Sequence, residues 1–226
     1  MPREWRTPVS SGTDARGHQP EREGLSLRDD QKRLTRRRLI EGALAAFERK
    51  GYAATTIDDI VAEANASRAT FYLHFKSKAD IVLVMAERLG RRWRELYLEL
   101  TSSGRLSREQ LRTWLDAMVD NYENNRTSLD ALGQAIAIEP AVAEVNLVNN
   151  RESVEVMADS IVRWQGADRE DTRIRAALLL AQMDRFFHLW VIHGIPFDRE
   201  RAVATLTDQW LLVLGAGTRA RSRSRQ

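Results

Sequence analysis

The sequence predicts an all-α protein of about nine helices, with a three-helix unit at the N-terminal end and a larger helical part behind it. No segment sustains the two-residue alternation of a half-buried strand. Apolar side chains instead recur at intervals of three and four through most of the 226 residues. Of the five prolines, only Pro140 and Pro196 fall inside the predicted folded region, both where helices should start or stop.

Residues 1–25 are rich in Pro, Gly, Ser and charge, and are predicted to be a disordered tail. Helices are then predicted over 28–50, 57–64, 68–74, 78–101, 107–124, 128–138, 141–165, 169–194 and 198–215. Residues 217–226 read as a flexible basic tail. The first helix carries Leu39, Ile40, Ala43, Leu44 and Phe47 as a buried stripe, and Gly51 suits the residue just past its end. In the second, Thr56 and Asp59 have the spacing of a capping box, and Ile57, Ile60, Val61 and Ala64 form one apolar face. Asn65 is a left-handed terminator, and Ser67 caps the third helix. Phe71 and Phe75, four apart, anchor that helix to a core and leave Arg68, Ala69, Thr70, Tyr72, Leu73 and His74 on or near its other faces. Two helices joined by so short a turn form a helix-turn-helix, here over about 57–75. Residues 28–80 are therefore expected to be a DNA-binding domain, and 81–216 a second helical domain joined through the long 78–101 helix.

Composition narrows the function classes. The chain has no cysteine, which excludes disulfides and thiolate metal sites. No apolar run approaches a membrane span, and the start has no signal-peptide core, so the expected setting is the cytoplasm with no membrane partner. Residues 26–80 hold 11 basic and 8 acidic side chains, whereas 81–216 hold 16 and 20. The basic excess sits with the helix-turn-helix, as nucleic-acid binding requires. No catalytic Ser-His-Asp order or phosphate-binding glycine loop stands out, so no enzyme and no cofactor is expected. Asp184 and His188 share a helical face but lack a third metal ligand; a hydrogen-bonded pair is the simpler reading.

The stretch RRRLIEGALAAFERKGYAATTIDDIVAEANASRATFYLHFKSKADIV, from about residue 36 to residue 83, resembles the N-terminal domain of the tetracycline-repressor (TetR) family of bacterial transcriptional regulators. The resemblance rests on Gly51-Tyr52, Thr55-Thr56, Thr70-Phe71-Tyr72 and His74-Phe75 followed by Lys78. It implies that Arg68, Ala69, Thr70 and Leu73 face base edges, where Arg suits guanine and apolar groups suit the thymine methyl. It also implies that Thr56, Ser67, Tyr72, His74 and Lys78 meet phosphates, with Arg36 and Arg37 (and Arg38) reaching phosphate or a minor groove. The sequence departs from the family pattern at Asn65, where glycine is usual, and at Asp58 and Asp59, which suit a helix N-terminus but do not favour DNA.

The resemblance further implies a homodimer on a near-palindromic double-stranded operator, with the last two helices pairing as a four-helix bundle. The candidate interface is Leu178 and Arg185 on one helix and Val203, Leu206, Trp210, Val213 and Leu214 on the last. Three aromatic and methionine stripes are candidates for a pocket taking a small apolar or aromatic effector: Trp114, Met118 and Tyr122; Met157, Ile161 and Trp164; Met183, Phe187 and Trp190. Asn121, Gln182 and Asp184 are the polar groups placed to orient it. The expected function is a repressor released by that effector. The alternatives are an activator, a ligand-insensitive regulator of the same fold, or a helical interaction module.

Overall fold

The computed structural model describes residues 27–102 and 106–215, so both predicted tails lie outside the described residues. Those residues form nine α-helices and no strand: α1 Leu27–Ala54, α2 Ile57–Glu63, α3 Arg68–Tyr72, α4 Lys78–Ser102, α5 Arg108–Asn124, α6 Arg126–Ile136, α7 Pro140–Gln165, α8 Arg169–Phe187 and α9 Arg199–Gly215. A π-helical turn, His188–Ile192, follows α8 directly. The predicted helix over 169–194 is therefore two pieces, with His193 N–H donating to His188 O five residues back at 2.9 Å.

The N-terminal unit packs α1 across α2 and α3 around Leu39, Ala43, Phe47, Ile60, Phe71 and Phe75, all buried. Gly42 permits the crossing. A Cβ there would stand 2.7 Å from the backbone nitrogen of Ala64 and 2.9 Å from Ile60 O. Gly51 breaks α1 at φ 74°, ψ 160°, a left-handed conformation that disfavours side chains, so α1 turns back there rather than running on. Tyr52 then buries its ring against Phe47 at 5.4 Å.

Behind this unit, α4 packs along α7 and α7 along α8, while α5 packs on α9. Capping fixes several ends. Ser107 and Gln110 form a reciprocal box on α5, Pro140 occupies the first turn of α7, and Asp168 accepts from Glu170 N–H at 2.8 Å at the start of α8. Among the described residues no single helix is long and apolar enough to cross a membrane.

The predicted face of the last helix needs correction. Val203, Leu206, Trp210 and Leu214 are 0–8% exposed, and the Trp210 ring meets Trp114 of α5 at 5.6 Å. Val213 is half-buried on the same core. These residues form an intramolecular contact because α5 occupies the apolar side of α9. What α8 and α9 present outward instead is Ile174 and Leu178 (51% and 65% exposed), Arg185, and Leu212 at 75%. Gln182 and Gln209 hydrogen-bond across this face at 2.5 Å.

Candidate nucleic-acid interface and ligand cavity

The helix-turn-helix is built by local caps. Thr56 Oγ1 accepts from Asp59 N–H at 3.3 Å, and Asp59 Oδ2 accepts from Thr56 N–H at 2.9 Å. The Lys50 ammonium donates to Asp59 at 2.6 Å and, with the Thr56 groups, holds that carboxyl well below the usual carboxylate range. Asn65 takes φ 46°, and Ala66 N–H closes onto Val61 O at 2.9 Å, which ends α2. Arg38 Nη2 donates to Ala64 O at 2.9 Å and Asn65 O at 3.1 Å, so this arginine satisfies the carbonyls of the turn. Ser67 Oγ then accepts from Thr70 N–H at 3.0 Å and starts α3.

With Phe71 and Phe75 buried, α3 turns Arg68, Ala69, Tyr72 and Leu73 outward; Tyr72 is 55% and Leu73 78% exposed. Thr70 is half-buried beside Ser67, its hydroxyl 2.9 Å from Ser67 Oγ. The Arg68 guanidinium is held by Asp58 through both Nε and Nη2, which holds the aspartate below its ordinary pKa and raises that of the arginine. Arg36 lies over the Phe75 ring, 4.4 Å from its centre. Arg37 donates to Glu41 at 2.7 Å on the exposed side of α1. His74 is half-buried, with Nδ1 closed off from solvent and without a protein partner. Burial first, then the charges of Lys32 and Arg36, push its pKa below the ordinary histidine value. Lys32 was not singled out from sequence, although it stands one turn before Arg36.

Lys78 corrects the expectation placed on it. Its ammonium donates to Tyr52 O at 2.7 Å, Thr55 O at 2.8 Å and Ala53 O at 3.1 Å, and stands 4.5 Å from the centre of the Tyr52 ring. Partial burial lowers its pKa. It ties the chain end of α1 to the start of α4, which leaves it poorly placed to meet a phosphate.

The same junction reaches the second helical part. Tyr52 OH donates to Glu139 at 2.7 Å and Ala53 N–H donates to Gln134 Oε1 at 3.3 Å. Burial, then the Glu139 contact, raises the Tyr52 pKa far above the ordinary phenol value.

A cavity of about 320 Å³ lies between α4, α5, α7 and α8. Trp93 and Tyr97 line it from α4 and Tyr122 from α5; Asn150, Ser153 and Val154 come from α7, and Ala177, Leu180, Ala181 and Asp184 from α8. Of the expected effector residues, only Tyr122 and Asp184 line it, while Gln182 turns outward to Gln209. Asn121 stands just behind, accepting from Trp93 Nε1 at 3.2 Å. Met118, Met157, Ile161, Met183 and Phe187 are at most 1% exposed and pack in the core, while Trp164 and Trp190 are half-buried against it. Trp114 lies at a separate groove with Leu96, Leu100 and Leu106. The stripes mark helix faces turned to the core, where neighbouring helices fill the space. The sequence signal that was passed over is Trp93 and Tyr97, four apart on a helix read as a linker.

Residues 39–85, spanning the core of α1, the helix-turn-helix and the start of α4, match the family of bacterial regulatory proteins named tetR. The N-terminal domain of the chain is a TetR-family domain. Its helix-turn-helix is that family's DNA-binding fold. The chain is 32% identical to the regulator YerO of Bacillus subtilis over 91 residues, 39% of its own length and 32% of YerO. The chain thus spans about a third of YerO's length. It is 25% identical over 183 residues to the transcriptional activator FasR of Mycolicibacterium smegmatis, covering 80% of this chain and 82% of FasR. The solved TetR-family regulator PfmR of Thermus thermophilus superimposes with a TM-score of 0.62 at 22% identity, over 79% of this chain and 97% of PfmR. That likeness is one of fold.

Proposed function

We propose that this TetR-family chain is a sequence-specific regulator that binds a near-palindromic operator as a homodimer and is released from it by a small, largely apolar or aromatic effector. The observation that carries this reading is the surface of the helix-turn-helix. Ala69, Tyr72 and Leu73 project from α3, with Arg68 at its start and Lys32 and Arg36 on the adjoining face of α1. Apolar and hydroxyl groups suit base edges, and the basic groups suit phosphates. Arg68 must exchange Asp58 for guanine, so the ion pair sets a cost on non-cognate DNA.

One α3 reads only a few base pairs, so useful specificity needs two copies. The exposed face with Ile174, Leu178 and Leu212 supports pairing through α8 and α9, with residues other than those the sequence suggested. For release, α4 runs from Lys78, which clasps the end of α1, to Trp93 and Tyr97 at the cavity, about 22 and 28 Å along the helix. An occupant that shifts α4 therefore shifts α3 of each copy. Coupling of this kind is reciprocal, so operator DNA must weaken effector binding by the same factor.

The test is selection of random double-stranded DNA, followed by titration of the winner at several salt concentrations. A near-palindromic winner bound by two chains, with a steep salt slope, is the expected result. Equal weak binding to all sequences would remove the proposal. Repression is the reading adopted. The likeness to FasR, an activator aligned over most of both chains, favours activation as a second reading. A promoter fused to a reporter, measured with and without the gene, separates the two.

A further inference from the structure

The cavity between α4, α5, α7 and α8 has a chemistry more specific than apolar. Three aromatic rings, Trp93, Tyr97 and Tyr122, line it. Trp93 and Tyr122 lie nearly parallel, at an interplanar angle of 10° and 5.9 Å between centres. Asn121 pins the Trp93 indole from behind, and Phe187 meets the Tyr122 ring edge-on at 5.0 Å. The rings are therefore held in place before any occupant arrives.

Among the lining residues the one ionisable acid is Asp184, and no Lys, Arg or His lines the cavity. Asp184 Oδ1 accepts from Tyr122 OH at 2.6 Å. Among the described residues no donor is placed on its Oδ2. His188 Nδ1 stands 4.0 Å from Oδ1, beyond hydrogen-bond reach. Arg94, next on α4 to Trp93, is turned to Glu152 and Asn149. The carboxylate is half-exposed, so its charge is hydrated rather than buried. Its field is nonetheless felt at the rings: burial first, then Asp184, raises the pKa of both Tyr97 and Tyr122, so both remain neutral donors at physiological pH.

We infer that the effector is an organic cation, an amine or quaternary ammonium carried on an apolar or aromatic body, with its charge seated among Trp93, Tyr97 and Tyr122 beside Asp184. Ring faces are negative and attract a cation within about 6 Å of their centres. The Asp184 carboxylate, hydrogen-bonded by Tyr122 and 4.0 Å from His188, adds attraction at the same end, and Leu180, Val154 and Ala177 receive the apolar remainder. An anion would meet Asp184 with no compensating base, and is rejected. The inference deepens the effector reading above and rests on it.

The test uses three probes of one size on the full chain: benzyltrimethylammonium, its uncharged isostere neopentylbenzene, and the anion phenylacetate. Binding is followed by ligand-observed NMR titration. The cation is expected to bind about tenfold or more tightly than the isostere, with phenylacetate weakest. Asp184→Asn should bring the cation close to the isostere while the isostere's own affinity holds, and Trp93→Leu should weaken both. Thermal melts confirm that the variants are folded, and the wild-type ratio stands without them. If the isostere binds as tightly as the cation, the charge assignment is overturned and the cavity survives as an apolar site. If none of the three binds, the cavity is not the effector site and both readings fall.

Discussion

The helix-turn-helix and the α8–α9 pair are both helix pairs with apolar stripes, yet they differ in length and in what fixes them. Around α2 and α3, nearly every end is set by groups close in sequence: Thr56 with Asp59, Asn65 with Val61 and Ala66, Ser67 with Thr70. Around α8 and α9, the outcome depends on a distant partner. Trp210 is buried because Trp114 of α5 lies against it, nearly a hundred positions earlier. Local chemistry specifies a local surface. A stripe on a long helix specifies only that something covers it.

The largest effect expected from this contrast is at Trp210. Trp210→Ala should cost about 3–5 kcal/mol in denaturant unfolding, because it empties a filled site between α5 and α9. Leu178→Glu on the exposed face should leave monomer stability within about 0.5 kcal/mol and instead shift the sedimentation profile toward single chains. A stable Trp210 variant that had merely lost its partner copy would reverse the assignment of the two faces.

Next in size are the residues that join the two regions. Lys78→Met leaves the carbonyls of Tyr52, Ala53 and Thr55 without their donor and should destabilise by about 1–3 kcal/mol. Among molecules that remain folded, the salt dependence of DNA binding should keep its slope, since the ammonium is engaged by those carbonyls. Arg36→Ala should instead reduce that slope by about one. Tyr52→Phe removes the hydrogen bond to Glu139 and should cost about 0.5–1.5 kcal/mol by thermal unfolding.

A subtler change is expected at the Asp58–Arg68 pair. Asp58→Asn frees Arg68 and removes a negative charge from the first turn of α2. Operator and non-operator affinity should both rise, by about several-fold for one altered charge, with the ratio between them narrowing. A widened ratio in a filter-binding comparison would mean that Asp58 does not restrain Arg68.

The smallest effect concerns pH. The folded pKa of His74 lies below its unfolded value near 6.5, so the unfolded chain takes up the proton first. The contribution is present above about pH 6.5 and is lost as pH falls below it. Solvent screening keeps it small. His74→Gln should flatten the stability profile below about pH 6.5.

Sequence alone determined the helical class, the caps of α2 and α3, the break at Gly51 and the exposure of Arg68, Ala69, Tyr72 and Leu73, because each follows from local residue types and spacings; Thr70 and His74, read with that set, are half-buried. It could not determine the partners of long side chains. Lys78 and Arg38 look like free cations in a basic segment, but both find backbone carbonyls about 25 positions away, since helix and turn ends leave carbonyls that need donors. Nor could it tell a core stripe from a cavity wall. Met118 and Met183 are as apolar as any pocket residue, while the cavity formed where Trp93, Tyr97 and Tyr122 meet the small side chains Ala177 and Ala181. Which apolar faces touch, and where packing leaves room, is settled by the mutual placement of four helices far apart in the chain, and a local pattern carries no information about that distance.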